Sequence, residues 1–353
     1  LNLRVLQSES KPSHSKTNGQ NMPKRNSWRL WAWPSELREQ GILGMNRRNG
    51  RFVLPSNPRG HYPSVDEKHR TKIICKAAGI PVPETYLLVE KCGDVRRCVD
   101  LIGDRQEFVV KPGAGGGGRG ILVIAENHKD AAQDTRGQKN GRRFMTSSGQ
   151  AFSRPDIEYH ISAILSGLYS LGGQPDVAII EQRIVRHEVF DRIAVGGTPD
   201  IRVILYRGVP VMAMVRLPTN RSRGKANLHQ GAAGAGVDLR TGMTFGGVCL
   251  DRAIDDHPDT GNRIADVQVP FWNDLLTAAM KLAGNLELKY IGVDFVVDAQ
   301  LGPVVLEANA RPGLNIQVAN RRGLVPRLRF IDDLPPDSMT HRREELIAAI
   351  AAK

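Results

Sequence analysis

The sequence predicts an α+β fold, and three observations carry that prediction. Apolar segments of strand length recur between residues 108 and 308, bounded by Gly, Pro and Asp. Two longer segments, Ile157–Tyr169 and Phe271–Leu286, place apolar residues at helical spacing among them. The order of these segments lacks regular βαβ alternation, which separates the chain from the α/β class. No internal repeat is visible.

Taken in order, residues 1–27 are rich in Ser, Asn and Lys and are expected to form a disordered basic leader. Trp28–Leu43 reads as a helix through Leu30, Trp33, Leu37 and Leu43, with Pro34 disturbing its first turn. Residues 44–51 read as a polar loop. Asp66–Ala78 reads as a basic helix ended by Gly79, with Pro81 and Pro83 forcing an extended exit. Phe108–Pro112 is expected as a short buried strand, residues 113–120 as a glycine loop and Ile121–Ile124 as the return strand. Residues 126–154 are polar and read as a long excursion. The helix Ile157–Tyr169 follows, through Ile161, Ile164, Leu165 and Leu168. Val177–Ile184, Pro199–Tyr206 and Val209–Val215 read as strands, and Lys225–Gly231 as a polar loop. After the helix Phe271–Leu286 comes a hairpin over residues 292–308, whose turn at 298–303 is rich in turn formers. Residues 331–353 are expected as a tail or terminal helix.

The 353 residues suffice for one large or two to three smaller folding units, and 41% apolar content suffices for a core. No run of 18 apolar residues is present, so no membrane span is expected. Residues 1–24 lack the apolar segment of a secretory signal. Leu1 in place of Met fits a non-standard start codon or an upstream-extended gene, in which case residues 1–25 are not natural sequence. Cys75, Cys92, Cys98 and Cys249 form no Cys-x-x-Cys pair and are expected as free thiols in a reducing cytoplasm. The formal charge of +12 raises nucleic acid as a partner. Residues 1–59, however, hold 11 Lys/Arg against 3 Asp/Glu, so +8 sits there and about +4 in the remainder. Aromatic residues are only 5%, without an RNA-stacking signature. A solvated leader is therefore preferred to a nucleic-acid partner.

The chemistry concentrates in the last hairpin. Glu307 and Asn309 lie two residues apart and share one strand face, and Asp294 can face them from the partner strand. Three oxygen donors with an open remainder suit Mg²⁺ carrying nucleotide phosphates, one ion or two, with Mn²⁺ as the alternative. Arg311 stands just beyond, where a transferring phosphoryl group needs positive charge. One such carboxylate would be an ordinary strand-end residue; four residues at this spacing favour a site.

Lys111 ends a strand ahead of Gly115, Gly116, Gly117 and Gly118. Its ammonium can reach α- and β-phosphates while the glycine N–H groups fold over the β- and γ-phosphates. The loop lacks the Gly-Lys-Ser/Thr ending of a P-loop, and a strand follows it rather than the helix of a Rossmann turn. Lys72 is a second phosphate candidate. Glu181, Gln182, Arg183 and Ile184 sit where a strand runs out, so their free backbone groups could pair with adenine. Asp200 and Arg202 share a strand face, and Arg216 ends the next strand. Arg216 and Asn227 are candidates for the γ-phosphate or an acyl oxygen. His229 is a lone loop histidine and weak support for general base work.

In this order, Lys72, Lys111 with its glycine loop, Glu181-Gln-Arg-Ile, Asp200-Ile-Arg, Asn227-Leu-His-Gln-Gly, Asp294 and Glu307-Ala-Asn resemble the ATP-grasp superfamily. Asp200-Ile-Arg and Asn227-Leu-His-Gln-Gly look like its RimK-like branch, as Gly41-Ile-Leu-Gly-Met-Asn-Arg-Arg-Asn and Tyr62-Pro-Ser-Val-Asp-Glu-Lys look like alpha-L-glutamate ligase-like proteins. The resemblance covers about residues 28–330. It implies two α+β subdomains clasping ATP, about 84–180 with the glycine loop and 181–330 with the metal site. Together they form a domain over 66–330, behind a short N-terminal segment, 28–65.

By the same resemblance Lys72 and Lys111 bind phosphates and Gly115 to Gly118 close over them. Gln182 and its neighbours, Glu181 and Ile184, hold adenine, Asp200 meets the nucleotide and Arg202 orients phosphate or substrate. Asp294, Glu307 and Asn309 hold Mg²⁺, while Arg216 and Arg311, with Asn227, serve the acyl-phosphate step. The implied reaction is ATP-dependent ligation of an amino-acid amine, glutamate in that branch, to a carboxylate acceptor on a peptide, protein or small molecule. The rival readings are a catalytically silent ATP-binding module and a nucleic-acid-associated protein acting through its leader. A homo-oligomer is compatible with either class.

Overall fold

A computed structural model describes residues 33–129, 142–250, 252–335 and 343–353. Its strands are β1 (Thr85–Val89), β2 (Phe108–Pro112), β3 (Leu122–Ile124), β4 (Glu126–Lys129), β5 (Arg142–Met145), β6 (Ala151–Ser153), β7 (Ala178–Glu181), β8 (Asp200–Tyr206), β9 (Val209–Leu217), β10 (Ala233–Val237), β11 (Thr244–Cys249), β12 (Arg252–Ala253), β13 (Tyr290–Asp298) and β14 (Gly302–Asn309). They form a four-stranded sheet ordered β1-β7-β2-β3, a seven-stranded sheet ordered β12-β11-β10-β9-β8-β13-β14, and a small sheet ordered β4-β5-β6. The named pairings are antiparallel. With helices set beside these sheets, the architecture is α+β, with two large antiparallel sheets.

Each large sheet has its own core. The helices Val95–Ile102 and Arg154–Leu165 cover the four-stranded sheet, burying Val99, Ile102, Ile157, Ile161 and Ile164 with Phe108, Val110 and Ile180. The seven-stranded sheet buries Val203, Leu205, Val211, Val293 and Phe295 against Leu275, Leu282 and Leu328 from the helices Trp272–Gly284 and Val325–Asp332. Leu43, Phe52 and Val65 from one flanking segment and Ile347 and Ile350 from the other join that same core.

Several expectations are corrected. The helix expected over Trp28–Leu43 runs only Pro34–Glu39, because Pro34 stands at its first turn and fits there, while Gly41 takes a left-handed φ of 70°; residues 28–32 lie outside the described residues, as does the expected leader over 1–27. Residues 44–51, expected as a loop, are helical turns from Met45 to Ser56, anchored by the buried pair Phe52 and Val53. The basic helix is broken at Glu67 and runs Lys68–Ala77. The excursion at 126–154 carries β4, β5 and β6 in its described part. Ala233–Val237 is a buried strand made of Ala, Gly and Val, which composition concealed.

Candidate active site

Register puts the polar residues on one sheet face. Asp294 pairs with Arg202 on one side and Glu307 on the other, and Asp200 pairs with Arg216. Directly paired residues project to the same face, and so do residues two apart on one strand. Asp200, Arg202, Arg216, Asp294, Glu307 and Asn309 therefore share a face. Ile201, Val203, Val293 and Ala308 point into the core. A shift of register between Asp294 and Phe295 leaves Leu306 as the extra residue on β14, immediately before Glu307.

Two carboxylates and two guanidiniums occupy the middle of that face. Arg202 donates to both oxygens of Asp294, at 2.7 Å from Nε and 2.5 Å from Nη2. Arg216 donates from Nη2 to Asp294 Oδ2 at 2.8 Å and grips both oxygens of Asp200. Burial pushes both carboxyls up. Arg202 and Arg216 nevertheless hold Asp294 well below the usual carboxylate range. Asp200, under burial and the charge of Asp294, is pushed up to about 7 against the pull of Arg216. Burial also opposes the Arg216 charge, yet the two aspartates keep its pKa above the ordinary value.

Glu307 is less committed. It is 32% exposed, Lys68 Nζ stands 3.6 Å from its Oε2, and Asn309 Nδ2 is 3.4 Å from its Oε1. Its lone pairs, with the Asn309 carbonyl, fit a hard cation such as Mg²⁺. Asp294 already accepts from two arginines on both oxygens. Among the described residues no group of three or more His, Cys, Asp and Glu is placed to hold a metal ion.

The second layer of charge comes from the four-stranded sheet and the helix before it. Glu181 at the end of β7 lies between Lys72 and Lys111, with Lys111 Nζ at 2.5 Å from its Oε1 and Lys72 on its Oε2. All three are about 5% exposed. Lys72 also donates to Pro83 O and Thr85 Oγ1, each at 2.8 Å, so its three protons are engaged. Burial pushes its ammonium down to about 8 despite Glu181. The partition suggests a paired prediction. Lys72→Met will cost about 3–5 kcal/mol of stability, because Glu181 loses a buried partner. Lys111→Met takes the other buried partner from Glu181 and will cost stability on the same scale; it will in addition weaken ATP binding about tenfold or more, the size of one charge-assisted hydrogen bond. Urea melts and ATP titrations of both variants check this, and an equal loss of ATP affinity in the two variants rejects the division.

Lys68 is the residue that sequence reading missed. It stands one turn before Lys72, so both face the same way. Its Nζ donates to Gly115 O at 2.6 Å while facing Glu307. The i, i+4 spacing of Lys68 and Lys72 was the available signal. The glycine loop meets the other sheet too: Gln230 Nε2 donates to Gly117 O at 3.0 Å. Gly117 holds φ at 67°, and a Cβ there would stand 3.5 Å from the Asn227 side-chain amide. Asn227 accepts from the His229 N–H through its Oδ1.

Three expected residues have other surroundings. The Gln182 N–H donates to Glu84 O at 2.8 Å, so one edge group proposed for adenine is already paired. Ile184 is half-buried beyond the end of β7. Arg311 lies over the Tyr62 ring, 5.4 Å from its centroid, and the positive charge nearest Glu307 comes instead from Lys68.

Solved structures with similar architecture include the ATP-grasp ligase PsnB complexed with minimal precursor (14% identity, 84% of this chain and 63% of that one, TM-score 0.40). Others are D-cycloserine synthetase DcsG (16%, 78% and 71%, TM-score 0.41) and the biotin carboxylase of Campylobacter jejuni (16%, 82% and 47%, TM-score 0.44). The chain spans about three fifths of the length of the PsnB structures. No curated protein matches it. Among the described residues no helix is long and apolar enough to cross a membrane. The family model for sugar-transfer associated ATP-grasp proteins matches residues 47–333, a span that takes in both large sheets, the glycine loop and the charged face. By that match the chain belongs to the sugar-transfer associated ATP-grasp family.

Proposed function

We propose that the protein is an ATP-dependent carboxylate–amine ligase working through an acyl phosphate. The observation that carries this reading is the single sheet face holding Asp200, Arg202, Arg216, Asp294, Glu307 and Asn309, joined to the glycine loop through Lys68. A carboxylate is a poor electrophile because its charge is delocalised. ATP converts it to an acyl phosphate and releases ADP; an amine nitrogen then attacks the acyl carbon, phosphate leaves, and the amine proton passes to solvent. Mg²⁺, when bound, supplies charge neutralisation on the phosphates, and Glu307 and Asn309 are the residues that would hold it. Asp294, expected as a third ligand, instead keeps Arg202 and Arg216 aimed.

Lys111 and the Gly115–Gly118 backbone hold the nucleotide phosphates, and Lys72 fixes Glu181 beneath Lys111. Arg216 and Asn227 face the transferred group and acyl oxygen. Glu181, Gln182 and Ile184 border the adenine end. The narrower RimK-like resemblance supports glutamate as the amine, and a peptide, protein or small molecule as the carboxylate. Within the same proposal two subdomains, residues 84–180 with the glycine loop and 181–330 with the metal site, clasp the nucleotide. ADP release from Mg-ATP will require both a carboxylate and an amine in a panel of amino acids, short peptides and cell extract. Release with either alone, at the same rate as with both, would point to an ATPase.

A further inference from the structure

A cavity of about 130 Å³ opens beside this face, lined by Leu228, His229, Val248, Leu250, Asn315 and Val318. Register locates it. Arg216 pairs with Gly234, and Gly234 with Val248, so Val248 projects from the Arg216 face. It lies two strands away, about 10 Å at ordinary strand spacing. Gly234 between them has no side chain, and a Cβ there would stand 3.1 Å from Leu228. The glycine thus lets Leu228 rest on the sheet and form a wall.

Both sides of the cavity connect to the transfer residues. Leu228 follows Asn227, whose amide faces Gly117. Asn315 lies two residues after Gly313, which a Cβ would bring 3.8 Å from Arg202 Nη1. Leu250 at the mouth is 44% exposed and holds a left-handed φ of 50°, a conformation that L-residues disfavour. Four of the six lining side chains are aliphatic, and none is a lysine or arginine. A carboxylate here would meet no lysine or arginine among the lining residues and only His229 and Asn315 as polar partners. The volume is near that of an apolar cavity that takes a benzene-sized group.

We infer that this cavity receives an aliphatic or aromatic side group on the carboxylate that is phosphorylated. The inference rests on the ligase reading. Asn227 and Arg216 are the residues assigned to the acyl oxygen, and Leu228 is the next side chain along. The group attached to the acyl carbon therefore falls on Leu228 and Val248. An acidic side chain such as that of glutamate finds no lysine or arginine in this cavity and leaves its aliphatic walls unfilled.

The test uses hydroxylamine in place of the amine. ATP phosphorylates the carboxylate and releases ADP; the hydroxylamine nitrogen attacks the acyl carbon, phosphate leaves, and a proton goes to solvent, giving a hydroxamate. The panel is glycine, leucine, phenylalanine and aspartate, each free and N-acetylated. Leucine or phenylalanine members are expected to exceed glycine in kcat/KM by about tenfold or more, with aspartate below glycine. Leu228→Ala will shrink the advantage and Leu250→Arg will shift preference toward aspartate, with circular dichroism melts confirming that each variant folds. Equal hydroxamate formation across the panel, or a preference unmoved by both variants, overturns the assignment of the cavity and leaves the ligase reading standing. ADP release that no carboxylate stimulates overturns the ligase reading and this inference with it.

Discussion

Glu307→Ala will lower ATP-dependent turnover by about a hundredfold or more, the scale of losing one group that stabilises transferring charge. It will leave the fold nearly untouched. Its ion-pair partner among the described residues is Lys68 at 3.6 Å on a carboxylate one third exposed, a contact of about 1 kcal/mol at most. ADP release and a urea melt on the same preparation separate the two effects. A variant that keeps a tenth of wild-type turnover would remove Glu307 from the site. A variant that melts far below wild type would make it a structural residue.

Asp294→Ala will behave in the opposite sense, although Asp294 pairs directly with Glu307 across two strands. Asp294 is 2% exposed and is the shared acceptor of Arg202 and Arg216, each 12% exposed. Its removal takes the bidentate acceptor from Arg202 and one of two carboxylate partners from Arg216, and breaking such a buried pair costs about 3–5 kcal/mol. The urea midpoint reads the loss directly. Asp294→Asn keeps the shape and removes the charge, so a comparable loss in that variant assigns the effect to the ion pair. An unchanged midpoint in both variants would show that the network contributes nothing net, as replacement of buried ion pairs sometimes does.

The last hairpin was legible because β13 and β14 run largely apolar and share a turn of strong turn formers, which set Asp294 facing the Glu307 strand; the bulge at Leu306 that pairs it with Glu307 was not legible. The strand–glycine–strand unit at Phe108–Ile124 was legible for the same reason, as was the helix Trp272–Gly284. What the sequence concealed has two physical causes. Local composition misleads where tertiary packing decides: Ala233–Val237 has poor strand formers but is buried on all five residues, and Met45–Ser56 looks polar until Phe52 and Val53 reach the core. Ion pairing depends on register across several strands. The engagement of Asp294 by two arginines requires β8, β9 and β13 to be aligned, which no local pattern states. Arg311 follows the Asn309 strand end closely in sequence, yet the chain has turned and carries it over Tyr62.

Lys68 ties two events together. Its ammonium holds the carbonyl of Gly115 and stands beside Glu307. Positive charge arriving at Glu307 competes with Lys68 for that carboxylate and loosens its claim on the lysine. The lysine is then free to settle wholly on the loop carbonyl or to leave it for a phosphate. By reciprocity, a ligand that draws the glycine loop to one position must also change the affinity of Glu307 for a cation by the same factor. Under the proposed function, this single side chain links nucleotide capture at the loop to cation capture at Glu307.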